Sequence, residues 1–378
     1  WILFFDLYSL KFIARPPYTY CYSIRSKKNN YTYNFFYGGF IMWRAGLKWM
    51  FLILGTMIGA GYASGRELWQ FFGHESGLAI LLFIVMFIIS CTVIMFVSFK
   101  LKSTDYVSVL ETIVGKRFVR IYDYMILLYL FTTTVVMIAG SGATVQAFQL
   151  SYWWGVFFIA LTLFVLFLKD IHGVLSVNQY VIPILLVGLV FVLLRFTFEQ
   201  ELPLIISWKE QRNWMAAFPF TALNILPLVA VLGAIGNTVR TKGEIWIATV
   251  GSGLIFGVVS YIYNNSLIQI ADEILLYEIP LFAILSNYSS DMLIFMSVLL
   301  WIAIFTTAAA GMLGIVTRMK RVLYIPIWAL VLITLLLMIP LTSFGFSTLI
   351  SYIYPIYGIL NLYILTKLLF YPIWNQLK

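Results

Sequence analysis

The amino-acid sequence predicts an all-α integral membrane protein in which ten transmembrane helices form two inverted five-helix repeats, with helices 1 and 6 discontinuous. Hydrophobic residues occupy 62% of the 378 positions and charged residues 10%, and the mean hydropathy is +0.96. A soluble domain does not need so much apolar surface. Apolar windows of about 20 residues, the length that crosses a bilayer, recur ten times. The first and sixth windows contain residues that suit a continuous helix poorly.

The segment before the first window differs in composition from the rest. Residues 1–41 begin with Trp1, are rich in Tyr, Phe, Asn and Lys, and precede the first methionine, Met42. Their apolar run at 1–10 is too short to cross a bilayer. We expect residues 1–41 to be a non-native or disordered extension and residues 42–378 to form a single transmembrane domain.

The ten spans are predicted in chain order at 47–72, 77–99, 121–148, 152–168, 174–194, 214–236, 245–268, 292–316, 322–339 and 346–370. The first repeat covers residues 47–194 and the second covers residues 214–370. With the N-terminus in the cytoplasm, inward segments hold fifteen Lys and Arg residues and outward loops hold three. Because positive loops stay on the cytoplasmic side, both termini are expected there. Membrane orientation therefore explains the net charge of +9, and we expect no binding of nucleic acid.

The first span contains a run of small and polar residues. Four glycines, from Gly55 to Gly65, precede the charged pair Arg66 and Glu67. Glycine loosens helical backbone, and an unwound turn leaves N–H and C=O groups that hydrocarbon cannot satisfy. Such a segment is expected to line a cavity where something polar binds. The alternative is close helix packing, because the glycines form two GxxxG pairs.

The sixth span carries a comparable signal. Pro227 lacks a backbone donor and Asn224 is polar at mid-depth, which predicts an interruption near the centre of this span. Five spans separate its start from the start of the first span, and an odd number reverses direction. Paired interruptions in oppositely directed halves are typical of inverted-repeat transporters.

The sequence offers little material for catalysis or a metal cofactor. The two histidines, His74 and His172, lie at span ends, and neither HExxH nor CxxC is present. A nucleotide-binding GxxxxGK[ST] motif is also absent. We therefore expect neither an enzyme nor a bound cofactor, and we expect energy to come from an ion gradient.

The run from Gly55 to Glu67 resembles the first helix of the YkvI-like family of bacterial membrane proteins, within the amino acid–polyamine–organocation superfamily. The resemblance covers about residues 45–370 and implies the leucine-transporter-type fold in a bacterial cytoplasmic membrane. It also implies a secondary carrier that moves an amino acid or related compound by alternating access, in symport with sodium. The solute would lie at the helix break, against Gly59, Ala60, Gly61 and Tyr62.

The resemblance further implies a sodium site between the first and eighth spans. Its ligands would be the backbone oxygens of Gly55, Ile58 and Ala303 and the hydroxyls of Thr306 and Thr307, since a hard cation prefers oxygen ligands. The alternative is that these threonines only bond back to carbonyls one turn earlier. The fifth span lacks the lysine that replaces sodium in some proton-coupled members, which favours sodium.

Further polar residues complete the predicted substrate-binding set. Thr133, Thr134 and Ser141 on the third span either line the pocket or pack against the eighth, and Thr221 joins Asn224 on the sixth.

Arg66 and Glu67 are predicted at a gate or pocket edge, with interfacial snorkelling as the structural alternative. The tenth span has no acid to pair with Arg66 as in leucine transporters. The alternative to sodium coupling is a carrier coupled to protons, in which Glu67 is the carboxylate that binds the proton. A channel is the other alternative; it would show repeated pore-lining acids or a carbonyl filter.

Overall fold

The structure is a computed structural model that describes residues 30–168, 172–202, 211, 213–274, 276–320 and 323–376. All regular elements within these ranges are helical. The first helix begins at Asn30, inside the segment predicted as an extension, whereas residues 1–29 lie outside the described part of the chain.

The helices are numbered here in chain order. The first half contains α1 Asn30–Met57, α2 Ala60–Ala63, α3 Arg66–Phe71, α4 Gly77–Leu101, α5 Tyr106–Val114, α6 Lys116–Gln146, α7 Tyr152–Leu168 and α8 His172–Glu199. The second half contains α9 Ala217–Leu232, α10 Lys242–Gln269, α11 Ala271–Ile274, α12 Pro280–Leu285, α13 Ser290–Lys320, α14 Ile327–Met338, α15 Phe346–Leu360 and α16 Leu362–Gln376. Short 3-10 helices at Trp214–Ala216 and Ile339–Phe344 extend α9 and α14.

Seven helical stretches in the described residues are long and apolar enough to span a membrane. An eighth is counted if α15 and α16, bent by 41° at their junction, form one span. Helix α7, with 17 residues, is a shorter apolar helix. The chain is thus a multi-span, all-helical membrane protein.

The long helices pack into two groups, joined by α15 and by the packing of α8 on α10 and α1. Helices α1, α4, α9 and α10 pack on one another and are called the bundle; α6, α7, α8, α13 and α14 do likewise and are called the scaffold. Small residues permit close approach in the scaffold, because a Cβ on Gly314 of α13 would lie 2.8 Å from a methyl group of Leu130 on α6. Helix α15 packs on α9 and α6.

The first span is interrupted at Ile58 and Gly59. Helix α1 ends at Met57, and the chain becomes helical again only at Ala60. A second irregularity follows at Gly65, which has a left-handed φ of +80° and begins α3. Glycine suits this position because other residues rarely adopt that conformation.

The predicted interruption near the centre of the sixth span is wrong for these residues. Helix α9 runs unbroken through Asn224 and Pro227 to Leu232. A proline removes only one helical donor, and nearby polar side chains and packing can accommodate it in a membrane helix. Here the Asn224 amide donates to the Phe220 carbonyl (2.7 Å) inside the helix. The chain leaves the helix only after Leu232 and resumes at Lys242.

Candidate functional site

A cavity of about 240 Å³ lies where the α1–α2 interruption faces the scaffold. Its wall is formed by α1, α2, α3, α6, α9, α13 and α15, with Tyr106 contributed by α5. The lining is mainly apolar, with side chains such as Met57, Ile126, Leu130 and Met137. Its charged lining residues are Glu67 and Arg318.

Glu67 marks the buried end of the cavity. Only 7% of this residue is exposed, and a Cβ built on Gly61 would lie 3.2 Å from its Oε2 atom. The same point lies 3.4 Å from the Tyr354 hydroxyl oxygen. Tyr129 and Tyr354, which also line the cavity, are within electrostatic reach of the carboxylate. One acid, two phenols and the backbone at the helix interruption therefore converge.

Arg318 marks the other end, where the neighbouring Thr317 is exposed. Its guanidinium forms an ion pair with Asp123 of α6 and donates to the Tyr106 hydroxyl (2.8 Å). Tyr106 in turn donates to Asp123 (2.7 Å). This triad ties α5 to two scaffold helices and neutralises the guanidinium at the cavity's end.

Arg66 belongs to a separate contact, although it precedes Glu67 in sequence. It does not line the cavity, and its electrostatic partner is Glu278, in the segment between α11 and α12. A Glu278 oxygen accepts from the backbone N–H of Ser347 at the start of α15 (2.6 Å). The backbone N–H of Leu281 donates to the Ser64 carbonyl (2.9 Å), which holds this segment beside α3.

The structure brings four predicted substrate-binding residues, one predicted gate residue and two predicted sodium ligands to the cavity. The predicted residues that line it are Gly55, Gly59, Gly61, Glu67, Thr133, Asn224 and Thr307. Glycine at the interruption leaves open space beside the backbone, because a Cβ built on Gly59 would have no atom within 4 Å. These residues come from four different spans.

Tyr62 and Ala60 do not line the cavity. The Tyr62 side chain is fully buried against α10, where its hydroxyl lies 3.0 Å from the Ser260 hydroxyl and its ring stacks on Phe256. Ala60 is also fully buried. The side of α2 that carries them faces protein rather than the cavity.

Three other predicted polar side chains, which do not line the cavity, form hydrogen bonds to protein groups instead. Thr134 donates to the Leu130 carbonyl (2.7 Å), and Thr221 donates to the carbonyl one turn earlier in α9 (2.5 Å). Ser141 donates to Gly155 on α7 (2.9 Å) and accepts from Trp301 on α13 (2.8 Å). Ser141 therefore follows the second of its two predicted alternatives, which is packing against the eighth predicted span.

The predicted sodium ligands lie close to the interruption but form no completed site. Gly55 and Thr307 line the cavity, while Ile58, Ala303 and Thr306 are buried, and α2 packs on α13. The Thr306 hydroxyl is within hydrogen-bond distance of the Ile302 (3.0 Å) and Ala303 (3.1 Å) carbonyls. A hydroxyl that donates keeps its lone pairs, so this bond is compatible with either alternative. Among described residues, no group of three His, Cys, Asp or Glu could hold a metal ion.

Sequence reasoning missed Tyr129, the Asp123–Arg318 pair and the role of Glu278. A signal existed for Asp123, because it is an acid within a long apolar helix. Glu278 carried no such signal, since it lies in a loop far from Arg66 in sequence.

Comparison of the sequence with known proteins finds two relatives from Bacillus subtilis strain 168. The chain is 49% identical over 338 residues to the uncharacterized protein YyaD, which covers 89% of this chain and all of YyaD. It is 26% identical over 330 residues to the uncharacterized membrane protein YkvI, covering 84% of this chain and 94% of YkvI. No protein-family model matches the sequence.

Comparison of the structure finds two transporters of similar fold. The inward-facing conformation of Mhp1 matches with a TM-score of 0.50 and 13% identity, over 83% of this chain and 73% of Mhp1. A manganese transporter of Eremococcus coleocola, in complex with an aromatic bis-isothiourea compound, matches with a TM-score of 0.51 and 14% identity. That match covers 89% of this chain and 78% of the transporter. The shared architecture is that of leucine-transporter-type membrane transporters.

Proposed function

This chain belongs to the family of membrane proteins that includes YyaD and YkvI of Bacillus subtilis, and we propose that it is a secondary transporter. It carries a small organic solute through the cavity at the α1–α2 interruption by alternating access. The solute is an amino acid or a related compound, an assignment that rests on the resemblance to the superfamily.

The observation that carries this proposal is the position and shape of the cavity. It lies between bundle and scaffold and runs from the exposed end of α13, at Thr317, to the buried carboxylate of Glu67. Beyond Glu67, the hydrogen bond from the Leu281 N–H to the Ser64 carbonyl (2.9 Å) joins α12 to the turn before α3. A solute pocket accessible from one side is what an alternating-access carrier requires in each of its states.

We also propose ten spans in two inverted repeats, in a bacterial cytoplasmic membrane with both termini cytoplasmic. Seven helical stretches and the bent pair α15–α16 already meet the length and hydropathy expected of a span. Adding α1 and the short apolar helix α7 brings the number of spans to ten, which supports this proposal. In this orientation the Arg318 end of the cavity faces the cytoplasm. Cysteine labelling of loop positions from either side of sealed vesicles tests it, and external labelling beside Arg318 would contradict it.

Counterflow in proteoliposomes tests the carrier itself. A thermal-shift screen of amino acids first identifies a ligand, because a ligand that binds only the folded state stabilises it by mass action. Vesicles loaded with the unlabelled hit should then accumulate the labelled hit above its equilibrium level. A channel would give equilibration without this overshoot, and that result would refute a carrier. We expect no catalytic turnover of the hit.

Sodium coupling is proposed through Gly55, Ile58, Ala303, Thr306 and Thr307. The packing of α2 on α13 and the exposure of Gly55 and Thr307 to the cavity support it. Uptake should depend on sodium in the parent protein and lose that dependence when Thr306→Ala and Thr307→Ala are combined.

The matched control is Thr334→Ala on α14, a buried threonine that donates to Leu330 (2.7 Å) and does not line the cavity. It should keep the full sodium dependence. If the double variant keeps it as well, the proposed cation site is wrong.

Proton coupling through Glu67 is the second candidate, and the burial of this carboxylate in the cavity wall favours it. A proton gradient imposed without sodium should then drive uptake, and Glu67→Gln should abolish that drive. Sodium-driven uptake that persists when the proton gradient is collapsed separates the two mechanisms.

A further inference from the structure

Glu67 is a buried carboxylate without a hydrogen-bond donor in the part of the chain that the structure describes. It is 93% buried by residue surface and lines the cavity, yet no described side chain or backbone N–H donates to it. Neither of its oxygens is sealed from the cavity, so an ionised Glu67 is stabilised only by a hydrogen-bond donor or a cation inside the cavity. This residue therefore needs something that the described protein groups do not provide.

The other charges near the helix interruption already have counter-charges. Arg318 is paired with Asp123, and Arg66 faces Glu278 rather than the cavity. Among the described lining residues Arg318 is the only basic side chain, and it lies at the opposite end from Glu67. An ionised Glu67 therefore has no basic side chain of the described residues beside it at this end of the cavity, so a cationic group of a solute would be stabilised there and an anionic group would not.

The surroundings of Glu67 suit an organic cation. Tyr129 and Tyr354 place phenol rings beside the carboxylate, and aromatic rings attract alkylammonium groups through their π faces. The rest of the wall is apolar, with Ile126 and Met137 among its side chains. Such a wall accepts the alkyl part of a molecule whose charged group sits at Glu67.

We propose that Glu67 is the counter-ion for an ammonium group of the transported solute, with Tyr129 and Tyr354 enclosing that group. This inference deepens the proposed transport function and rests on it. The solute is a small molecule with a primary ammonium group, an amino acid or a related amine, and the Glu67 end of the cavity selects that group over neutral and anionic groups of the same size.

Binding of three propyl compounds tests the proposal. Purified full-length protein in potassium buffer near pH 7 is titrated with n-propylamine, 1-propanol or propionate, and the thermal unfolding midpoint is followed. Propylamine is protonated at this pH, like a lysine side chain. It should raise the midpoint, whereas the alcohol and the carboxylate should leave it unchanged at equal concentrations.

Variants assign the effect to the carboxylate. Removing one partner of a buried charge pair weakens binding by about 30-fold or more, so Glu67→Gln should lose the response to propylamine. Glu67→Asp keeps the charge and should retain part of it. The matched control is Glu244→Gln, a buried acid outside the cavity that accepts from Trp49 (3.2 Å). It should respond like the parent protein, each midpoint being compared with that of the same variant without ligand.

The outcomes separate this inference from the transport proposal. The inference is overturned if none of the three compounds binds, if propanol or propionate binds as well as propylamine, or if Glu67→Gln responds like the parent. Stabilisation by sodium but not by propylamine, lost in Glu67→Gln, also overturns it, since the carboxylate would then hold an inorganic ion. Amine binding that depends on Glu67 but gives no counterflow would support the site and refute the carrier.

Discussion

Substitution of Gly65 by alanine should destabilise the protein by two separable effects. A non-glycine residue at φ +80° costs about 1–2 kcal/mol because its Cβ crowds the backbone. The new Cβ would also lie 2.6 Å from the hydroxyl and 2.8 Å from Cζ of Tyr263, which is fully buried and donates to the Ala63 carbonyl. Overpacking of this kind costs about 1–3 kcal/mol. Gly65→Ala should therefore lower the free energy of unfolding by about 2–5 kcal/mol.

Two other glycines separate these effects experimentally. Gly115 has φ +84° and ψ 158°, a region essentially restricted to glycine, and no atom within 4 Å of a built Cβ, so Gly115→Ala should show a backbone cost of about 1–3 kcal/mol without overpacking. Gly59 has an ordinary φ of −86° and open space around it. Gly59→Ala should be neutral or stabilising by up to about 1 kcal/mol, since alanine restricts the unfolded chain.

Unfolding of the three purified variants in the same detergent measures this order. The midpoints should rank Gly59→Ala highest, Gly115→Ala intermediate and Gly65→Ala lowest. A Gly65→Ala midpoint as high as that of Gly59→Ala would contradict both the left-handed backbone at Gly65 and its close approach to Tyr263.

Three further substitutions test individual contacts by the same unfolding measurement. Tyr62→Phe removes the hydroxyl that contacts Ser260 and should cost about 1 kcal/mol; a changed affinity for propylamine would contradict the placement of this ring outside the cavity. Asp123→Asn should cost less than about 1 kcal/mol, because the side chains of Asp123 and Arg318 are 26% and 37% exposed; a larger loss would mean that the pair is shielded from solvent. Glu278→Gln keeps an acceptor for the backbone N–H of Ser347 but removes the negative charge from that hydrogen bond and from the surroundings of Arg66, and should cost about 1–3 kcal/mol; an unchanged midpoint would contradict a stabilising role for the Glu278 charge.

Hydrophobic patterning predicted the long helices well because burial in lipid is a property of whole segments. The fourth predicted span, 152–168, has the same bounds as α7 in the structure. The short helix α5 was missed because its nine residues are too few and too polar for a membrane window. Its start is instead set locally, since the Asp105 side chain accepts from the backbone N–H groups of Val107 and Ser108.

The sixth span shows the limit of residue-by-residue signals. Pro227 and Asn224 indicated a weak point in the backbone, but whether a helix breaks there depends on how neighbouring groups satisfy it. Helix α9 instead ends at Leu232, where the free carbonyl of Gly233 accepts from Ser103 on the loop after α4 (2.5 Å). That partner is distant in sequence, so no pattern within the span could have revealed it.

The candidate site was predictable where the backbone determines it and not where side-chain direction does. Glycines at the interruption identified the wall formed by Gly55, Gly59 and Gly61, because only an open backbone leaves room there. Tyr62 was placed in the same set by its position in sequence. It faces the opposite way because each helical residue is rotated from the one before it, and α10 provides a polar partner on that side.

The same rotation explains why Arg66 and Glu67 serve different contacts although they are adjacent. They occupy the first two positions of α3, one facing Glu278 and the other facing the cavity. Because α3 is a short helix that begins at the left-handed Gly65, a displacement of Glu67 moves Arg66 with it. A ligand can shift a conformational equilibrium only through contacts that differ between the states. Because α3 also packs on α15, a displacement of Glu67 on occupation of the cavity would be transmitted to α15 through α3 itself.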